Sequence, residues 1–215
     1  MALTIHSFQF NAFQENSYLV WDEDKNCLII DPGCYTSDEK KEFAEFIEAN
    51  DLKPIALLST HAHIDHVLGN AFVIEKYKID FYMHPGDLTT LNAVASYAHL
   101  YGFDGYVPSP QPTHLLENEK ELTFGKIKLK VYHTPGHSPG HVVFHFEEDK
   151  VLINGDVLFQ GSFGRVDLPG GNLETLKNSI FNILFKFPEE TKVFCGHGPE
   201  TTIGREKKFN YILQF

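Results

Sequence analysis

The stretch Ser59-Thr60-His61-Ala62-His63-Ile64-Asp65-His66 carries three imidazoles and one carboxylate in its last six positions. It follows directly on Ile55-Ala56-Leu57-Leu58, an apolar run that predicts a buried strand opened by Pro54. Imidazole and carboxylate groups suit zinc, iron or manganese, and packing alone does not explain so many of them together. The stretch therefore predicts half of a site for two metal ions at the end of a strand.

On either side of this stretch the apolar pattern predicts alternating strands and helices. Short apolar runs predict strands at residues 3–10, 17–21, 27–30 and 79–83. Ser37, followed by two acidic residues, predicts the cap of a helix that continues to about residue 50. Asp65 is expected to begin a helix that runs to about residue 77. At the start of a helix the dipole favours the negative charge of this residue. A further helix is predicted at 85–97.

The second half continues the mixture of elements. Residues 97–114 are rich in Gly, Pro and aromatic residues, which predicts a long loop that includes Tyr101. Two roles fit this loop: a lid that shapes a substrate pocket, or a dimer contact. Later apolar runs predict hairpins at 122–132 and 141–154, a helix at 173–185 and a last strand at 192–195. With no linker or repeat, we expect an α/β (α+β) fold in a single domain over residues 1–215.

Composition excludes several classes of protein. The chain has 215 residues, and 18 basic against 29 acidic side chains give a formal charge of −11, which opposes binding to a nucleic-acid backbone. Three cysteines without metal-type spacing favour a reducing compartment. No basic N-terminal segment precedes an apolar stretch, and no run approaches the roughly 20 apolar residues of a membrane span. We therefore expect a cytoplasmic protein with neither a membrane nor a nucleic acid as partner.

Three further metal-ligand candidates follow predicted strands later in the chain. They are His137 in Thr-Pro-Gly-His-Ser-Pro-Gly-His, Asp156 in Asn-Gly-Asp, and His197 in Cys-Gly-His-Gly-Pro. Each has glycine beside it, which permits sharp turns and a close approach of backbone. Strand ends with such turns can bring distant ligands to one edge of a sheet.

The motifs HAHIDH, TPGHSPGH, NGD and CGHGP, in this order, resemble the metallo-β-lactamase superfamily, in particular its glyoxalase II-like (hydroxyacylglutathione hydrolase-like) single-domain bacterial hydrolases. The resemblance spans residues 31–199. It implies a four-layer αβ/βα sandwich, with two mixed sheets face to face and helices outside. It also implies two divalent metal ions, zinc first and iron or manganese as alternatives. One ion would take His61, His63 and His137, the other would take Asp65, His66 and His197, and Asp156 would bridge them.

Each remaining candidate residue has a purely structural interpretation as well as a functional one. Asp31 either hydrogen bonds to the histidine loop behind the ligands or caps the turn Asp31-Pro32-Gly33. Gly136-His137-Ser138-Pro139-Gly140 matches the Gly-x-Ser-x-Gly nucleophile elbow, but Pro139 lacks the N–H that the elbow needs. Of the other histidines, His133 and His141 are expected to orient the loop around His137. The rest are expected to lie outside the site: His6, His84, His99, His114 and His145.

The resemblance and the chemistry together favour hydrolysis of a small-molecule thioester such as S-lactoylglutathione. Two metals make a bridging hydroxide available near neutral pH and polarise a carbonyl, with Asp65 and Asp156 as the catalytic carboxylates that hold them. A thiolate can leave without a dedicated acid, whereas a β-lactam amine needs a proton. Asp156 also stands where the best-known zinc β-lactamases carry a cysteine, so a β-lactamase is not expected. A lactone or another ester is a less favoured substrate.

Two departures from the full glyoxalase II pattern leave alternatives open. The C-terminal helical region that holds glutathione in those enzymes has no counterpart in the 18 residues after His197. Arg165 could meet a substrate carboxylate, but a loop-fixing pair with Asp167 is favoured. Persulfide dioxygenases also resemble the chain and would place one iron on the positions of His61, His137 and Asp156. A metal-stabilised binding protein without turnover is the least favoured alternative, and a homodimer is left open.

Overall fold

The computed structural model of the chain describes residues 3–117 and 120–215, and two six-stranded sheets form its centre. The first sheet contains, in spatial order, β1 (Thr4–Phe10), β2 (Glu15–Trp21), β3 (Asn26–Ile30), β4 (Lys53–Leu58), β5 (Asp80–Met83) and β6 (His114–Leu115). The second contains β7 (Glu121–Phe124), β8 (Ile127–His133), β9 (Val142–Phe146), β10 (Val151–Gly155), β13 (Lys192–Cys195) and β14 (Thr201–Thr202), in the spatial order β14-β13-β10-β9-β8-β7. A separate hairpin pairs β11 (Leu158–Phe159) with β12 (Ser162–Phe163).

Six α-helices accompany the sheets over the described ranges: α1 (Ser37–Ala49), α2 (Ile64–Val67), α3 (Asn70–Tyr77), α4 (Leu88–Tyr97), α5 (Leu173–Asn182) and α6 (Ile203–Phe209). Short 3₁₀ helices lie at Pro85–Asp87, Ala98–Tyr101, Leu184–Lys186 and Tyr211–Gln214. No described helix combines the length and the apolar character needed to cross a membrane.

The central strands are apolar along their whole length because both faces of each sheet are covered. Successive side chains of a strand point to opposite faces. In β3, Leu28 and Ile30 therefore pack between the sheets against Phe144 of β9, whereas Ile29 packs on the helix side. The outer face of the second sheet packs against α5 through Leu176 and its neighbours. The order helix, sheet, sheet, helix confirms the predicted four-layer αβ/βα sandwich.

The parallel strands carry the candidate motifs to one edge of the molecule. β3, β4 and β5 are parallel neighbours in the first sheet, and β10 and β13 are parallel neighbours in the second. Carboxyl ends of parallel strands meet at the same edge, so the segments after these strands lie side by side. A hydrogen bond of 2.8 Å from Val142 N to Thr60 O joins the two sheets at this edge.

Two predicted helix boundaries were wrong. The first helix is capped by Thr36 rather than Ser37, because Thr36 and Glu39 form a reciprocal capping box. The predicted helix from Asp65 to residue 77 is divided into α2 and α3. Gly69 N donates to Pro32 O at 2.8 Å, and Asp65 O accepts from Asn11 Nδ2 at 3.1 Å. These tertiary hydrogen bonds use the two backbone groups that would have continued the helix.

Other segments hold structure that the sequence pattern did not predict. The loop at 97–114 contains the 3₁₀ turn Ala98–Tyr101 and ends in the short strand β6. Phe103, in this loop, is 4% exposed and packs edge-on against Tyr35, so the segment is attached to the body of the protein. The hairpin of β11 and β12 and helix α6 were also missed, since both are short.

Candidate metal centre

The seven predicted ligand residues come together at the edge where the strands end. The loop after β4 and the helix α2 carry His61, His63, Asp65 and His66. His137 follows β8, Asp156 follows β10 and His197 follows β13. Residues from four separate segments therefore form one cluster, and their role as metal ligands remains a prediction.

The cluster contains three sets of side chains whose candidate ligand atoms lie within 4.8 Å of one another, and one of them, Asp31, His61 and His66, shares a histidine with each of the other two. The first group consists of His61, His63 and His137, and His63 Nδ1 lies 2.8 Å from His137 Nε2. The second group consists of Asp65, His66 and His197, and Asp65 Oδ2 lies 3.1 Å from His197 Nε2. The division is the one that the family resemblance implies.

Asp156 lies between the two groups. Its Oδ1 is 3.5 Å from His66 Nε2, and its Oδ2 is 3.5 Å from both His137 Nε2 and His197 Nε2. The carboxylate therefore faces an imidazole of the first group and two of the second. This is the position from which one side chain could contact two ions.

The donor set fits a pair of cations. His61 Nε2, His66 Nε2 and Asp156 Oδ1 are buried polar atoms without a hydrogen-bond partner. Buried polar atoms are normally paired, so three orphaned atoms aimed into one cluster indicate that something further belongs there. Imidazole and carboxylate donors in these numbers suit zinc, iron or manganese.

Protonation in the cluster follows from burial and charge. Burial, reinforced by neighbouring imidazoles, lowers the pKa of His61, and it lowers the pKa of His63 to about 3. Burial also opposes the charged forms of His66 and Asp156, but their mutual attraction outweighs it. The pKa of His66 is raised by Asp65 and Asp156, and that of Asp156 is lowered by His66 and His137. His61 and His63 thus offer neutral imidazoles, while the second group is built around charge.

A layer of hydrogen bonds orients the cluster from behind. Asp31 accepts from Thr60 N at 2.7 Å and from Thr60 Oγ1 at 2.5 Å, and its Oδ2 lies 3.1 Å from His66 Nδ1. Asp31 therefore hydrogen bonds to the histidine loop, which is the first of the two roles considered for it. His141 accepts from Asp156 N at 3.1 Å, so this histidine orients the loop of a candidate ligand. Such partners fix the direction in which ligands point.

Backbone carbonyls orient two further imidazoles. His137 Nδ1 donates to Arg165 O at 2.7 Å, and His197 Nδ1 donates to Phe13 O at 3.1 Å. Each bond leaves the other ring nitrogen, Nε2, directed at Asp156. The tautomer that these carbonyls select is the one that presents Nε2 to a cation.

The close approach of the backbone explains one glycine of the Cys-Gly-His motif. A Cβ added at Gly196 would lie 2.0 Å from Asp156 Oδ1 and 2.8 Å from His66 Cε1. No side chain fits at that distance. Cys195, beside it, is free and buried in β13, which confirms the packing role expected for this residue.

The serine of the elbow-like motif makes a structural hydrogen bond. Ser138 is fully buried, and its Oγ donates to Asp87 Oδ1 at 2.5 Å. Its hydroxyl is therefore a structural donor. The five histidines expected outside the site, His6, His84, His99, His114 and His145, belong to none of the metal-type groups found among the described residues.

Asp87 is a residue of this site that the sequence did not reveal. It is fully buried and accepts from Ala62 N at 2.8 Å, from Gly140 N at 2.6 Å and from Ser138 Oγ. One carboxylate thus joins the loops that carry all three imidazoles of the first group. After Pro85 and Gly86, the local sequence indicates only an acidic residue in a turn, so no sequence signal pointed to it.

Replacing Asp87 by alanine should lower the free energy of unfolding by about 3 kcal/mol, because two N–H groups and a hydroxyl would lose their acceptor in a buried place. Urea denaturation of chelator-treated protein would measure this. Asp104→Ala, at an exposed position, is the matched control and should change stability by no more than about 0.5 kcal/mol. Equal effects of the two substitutions would contradict the role of Asp87 as a link between the loops.

The two predicted substrate contacts lie outside the cluster. Arg165 Nε and Nη2 donate to the two oxygens of Asp167, both at 2.7 Å, which confirms the expected pair. Tyr101 is 50% exposed and packs edge-on against Phe13, whose carbonyl holds His197. Contact of either residue with substrate remains a prediction.

Comparison with known sequences identifies the family of the chain. The profile of the metallo-β-lactamase superfamily matches residues 10–197. YqgX of Bacillus subtilis (strain 168), a probable metallo-hydrolase, is 41% identical over 201 residues, which cover 93% of this chain and 92% of the relative. Hydroxyacylglutathione hydrolase GloC of Haemophilus influenzae is 35% identical over 213 residues, which cover 98% of both proteins.

Solved structures agree as well. The BLEG-1 B3 metallo-β-lactamase matches with a TM-score of 0.90 and 38% identity, covering 99% of this chain and 100% of that one. TTHA1623, crystallised in a di-iron-bound form, matches with a TM-score of 0.86 and 38% identity, covering 96% and 98%. The fold, the motifs and the sequence match together establish that this chain belongs to the metallo-β-lactamase superfamily.

Proposed function

We propose that this chain is a hydrolase that uses two divalent cations to cleave a thioester. The observation that carries the proposal is Asp156, whose carboxylate lies 3.5 Å from imidazoles of both groups. A site for one ion would need only one of the two groups. Two groups around one shared carboxylate favour a pair of ions.

The residues have distinct tasks in this proposal. His61, His63 and His137 would hold one cation, Asp65, His66 and His197 the other, and Asp156 would contact both. When bound, two such cations lower the pKa of a water between them and polarise a carbonyl oxygen. Asp65 and Asp156 offset part of the cationic charge. Zinc is the preferred metal on the donor set, and the di-iron form of TTHA1623 supports iron as the alternative.

Two arguments support a thioester as the substrate. The hydrolase GloC, aligned over 98% of both chains, is described as acting on hydroxyacylglutathione. A thiol has a pKa near 8.5, so its anion can depart without a proton donor. Ser138 cannot supply a nucleophile, because its hydroxyl is buried on Asp87. This supports the candidate metal cluster as the place of the reaction.

The direct test is thiol release from S-lactoylglutathione by zinc-loaded protein, followed continuously with a thiol reagent. We expect release that a chelator abolishes and added zinc restores. A cephalosporin and a simple lactone form the comparison arms, the first because BLEG-1 is a B3 metallo-β-lactamase. Faster turnover of either compound than of several thioesters would overturn the thioester assignment while leaving the two-cation hydrolase in place.

A further inference from the structure

Glu15 is a buried carboxylate that none of the proposed catalytic tasks uses. Its exposure is 0%. Its Oε2 accepts from Ser17 Oγ at 2.7 Å, while its Oε1 has no hydrogen-bond partner. Burying a carboxylate oxygen without a hydrogen-bond partner costs free energy, so we expect a compensating contact at this oxygen.

The free oxygen faces the second group from behind. Glu15 Oε1 lies 3.8 Å from His66 Nδ1, on the side of the ring opposite to Asp65 and Asp156. Asp31 Oδ2 lies 3.1 Å from the same nitrogen. The outer nitrogen of His66 therefore meets two carboxylates.

The backbone of Glu15 pairs with the backbone of His197, the other histidine of the second group. Glu15 and His197 form an isolated antiparallel bridge. The next residue strengthens this link, because Asn16 N donates to Gly196 O at 2.7 Å and Asn16 Nδ2 donates to Gly198 O at 2.8 Å. Glu15 thus contacts the ring of His66 with its side chain and fixes the segment of His197 with its main chain.

Two imidazoles of the first group have different partners. The outer nitrogen of His61 meets the hydroxyl of Thr60 at 3.0 Å, and that of His137 meets the carbonyl of Arg165 at 2.7 Å. These partners are neutral oxygens. Carboxylates therefore lie behind one imidazole of the second group, that of His66. The outer nitrogen of His197 meets the carbonyl of Phe13, a neutral oxygen like those behind His61 and His137.

We propose that Glu15 is a positioning residue that sets the affinity of the second group, Asp65, His66 and His197, for its cation. The inference rests on the two-cation centre of the proposed function. A carboxyl group behind a ligating imidazole orients the ring and tunes its strength as a donor. Glu15 acts through His66, which belongs to the second group.

The surroundings of Glu15 are shaped to hold it. A Cβ added at Gly33 would lie 2.1 Å from Glu15 Oε2, so the chain leaves room for the carboxylate there. Ser17 Oγ, which donates to Glu15, accepts from Gly33 N at 2.8 Å. A serine and a glycine on two different segments therefore keep this side chain directed at His66.

The test is a stepwise zinc titration of metal-free protein by calorimetry, with bound metal counted by elemental analysis. In the wild type we expect two binding steps. Glu15→Gln, which keeps the size of the side chain, should weaken one step by about 10- to 100-fold and leave the other unchanged. Ser17→Ala should weaken the same step by a smaller factor. This variant provides the test if Glu15→Gln does not fold.

Glu206→Gln is the matched control. Glu206 is also fully buried, but its partners are Thr201, Arg205, Asn210 and Gly161, which lie outside the cluster. Both steps should be unchanged in this variant. Equal weakening of both steps in Glu15→Gln, or no weakening, would overturn the role of Glu15. A single step in the wild type would instead contradict the proposed two-cation function, so the two failures are distinguishable.

Discussion

Asp156→Ala is expected to lose both bound ions and more than about 100-fold of the thioesterase activity together. Even residues behind metal ligands typically contribute 10- to 100-fold to affinity or activity, and Asp156 stands between the two groups. Removing it also leaves His66 without one of the three carboxylates, Asp65, Asp156 and Asp31, that raise its pKa. Elemental analysis after gel filtration and the thiol-release assay on the same sample would measure both losses.

The control for this variant is Asp149→Ala, which changes a carboxylate in the turn between β9 and β10 and should keep two ions and full activity. Circular dichroism of both variants would establish that the fold is retained. Two tightly bound ions in folded Asp156→Ala protein would contradict the bridging position. Loss of activity with both ions retained would show that the carboxylate acts on the reaction without holding metal.

Asp65→Ala is expected to keep one ion and lose about 100-fold or more of the turnover. The first group, His61, His63 and His137, does not include Asp65, so its imidazoles should still hold a cation. The second group would be left with two imidazoles. Metal content per chain, thiol release and thermal unfolding with and without zinc are the measurements.

The same variant separates the hydrolase from the persulfide dioxygenase. In the latter, one iron would use His61, His137 and Asp156, and Asp65 would have no ligand role. Iron-loaded Asp65→Ala protein that still consumed oxygen with glutathione persulfide would favour the dioxygenase. We expect no such oxygen uptake from either Asp65→Ala or the wild type. Lys41→Ala is a suitable comparison, because it breaks only an exposed pair with Glu45.

Local pattern was sufficient wherever one segment decided its own structure. The continuous apolar runs of β3 and β4 predicted buried strands, because only strands covered on both faces can be apolar throughout. The hairpin of β9 and β10 was predicted for the same reason and is confirmed. Local pattern misplaced the end of α2, because the decisive partners, Asn11 and Pro32, lie more than 30 residues away in the chain.

The sequence by itself determined the superfamily, the strand core and the identity of the seven candidate ligands, since these depend on residue type and spacing along the chain. Only the tertiary structure decided how they are held. Asp87 joins two ligand loops, Glu15 stands behind His66, and Gly196 makes room for Asp156. These are contacts between segments distant in sequence, and in a single sequence a buried acid in a turn or strand looks the same as an exposed one.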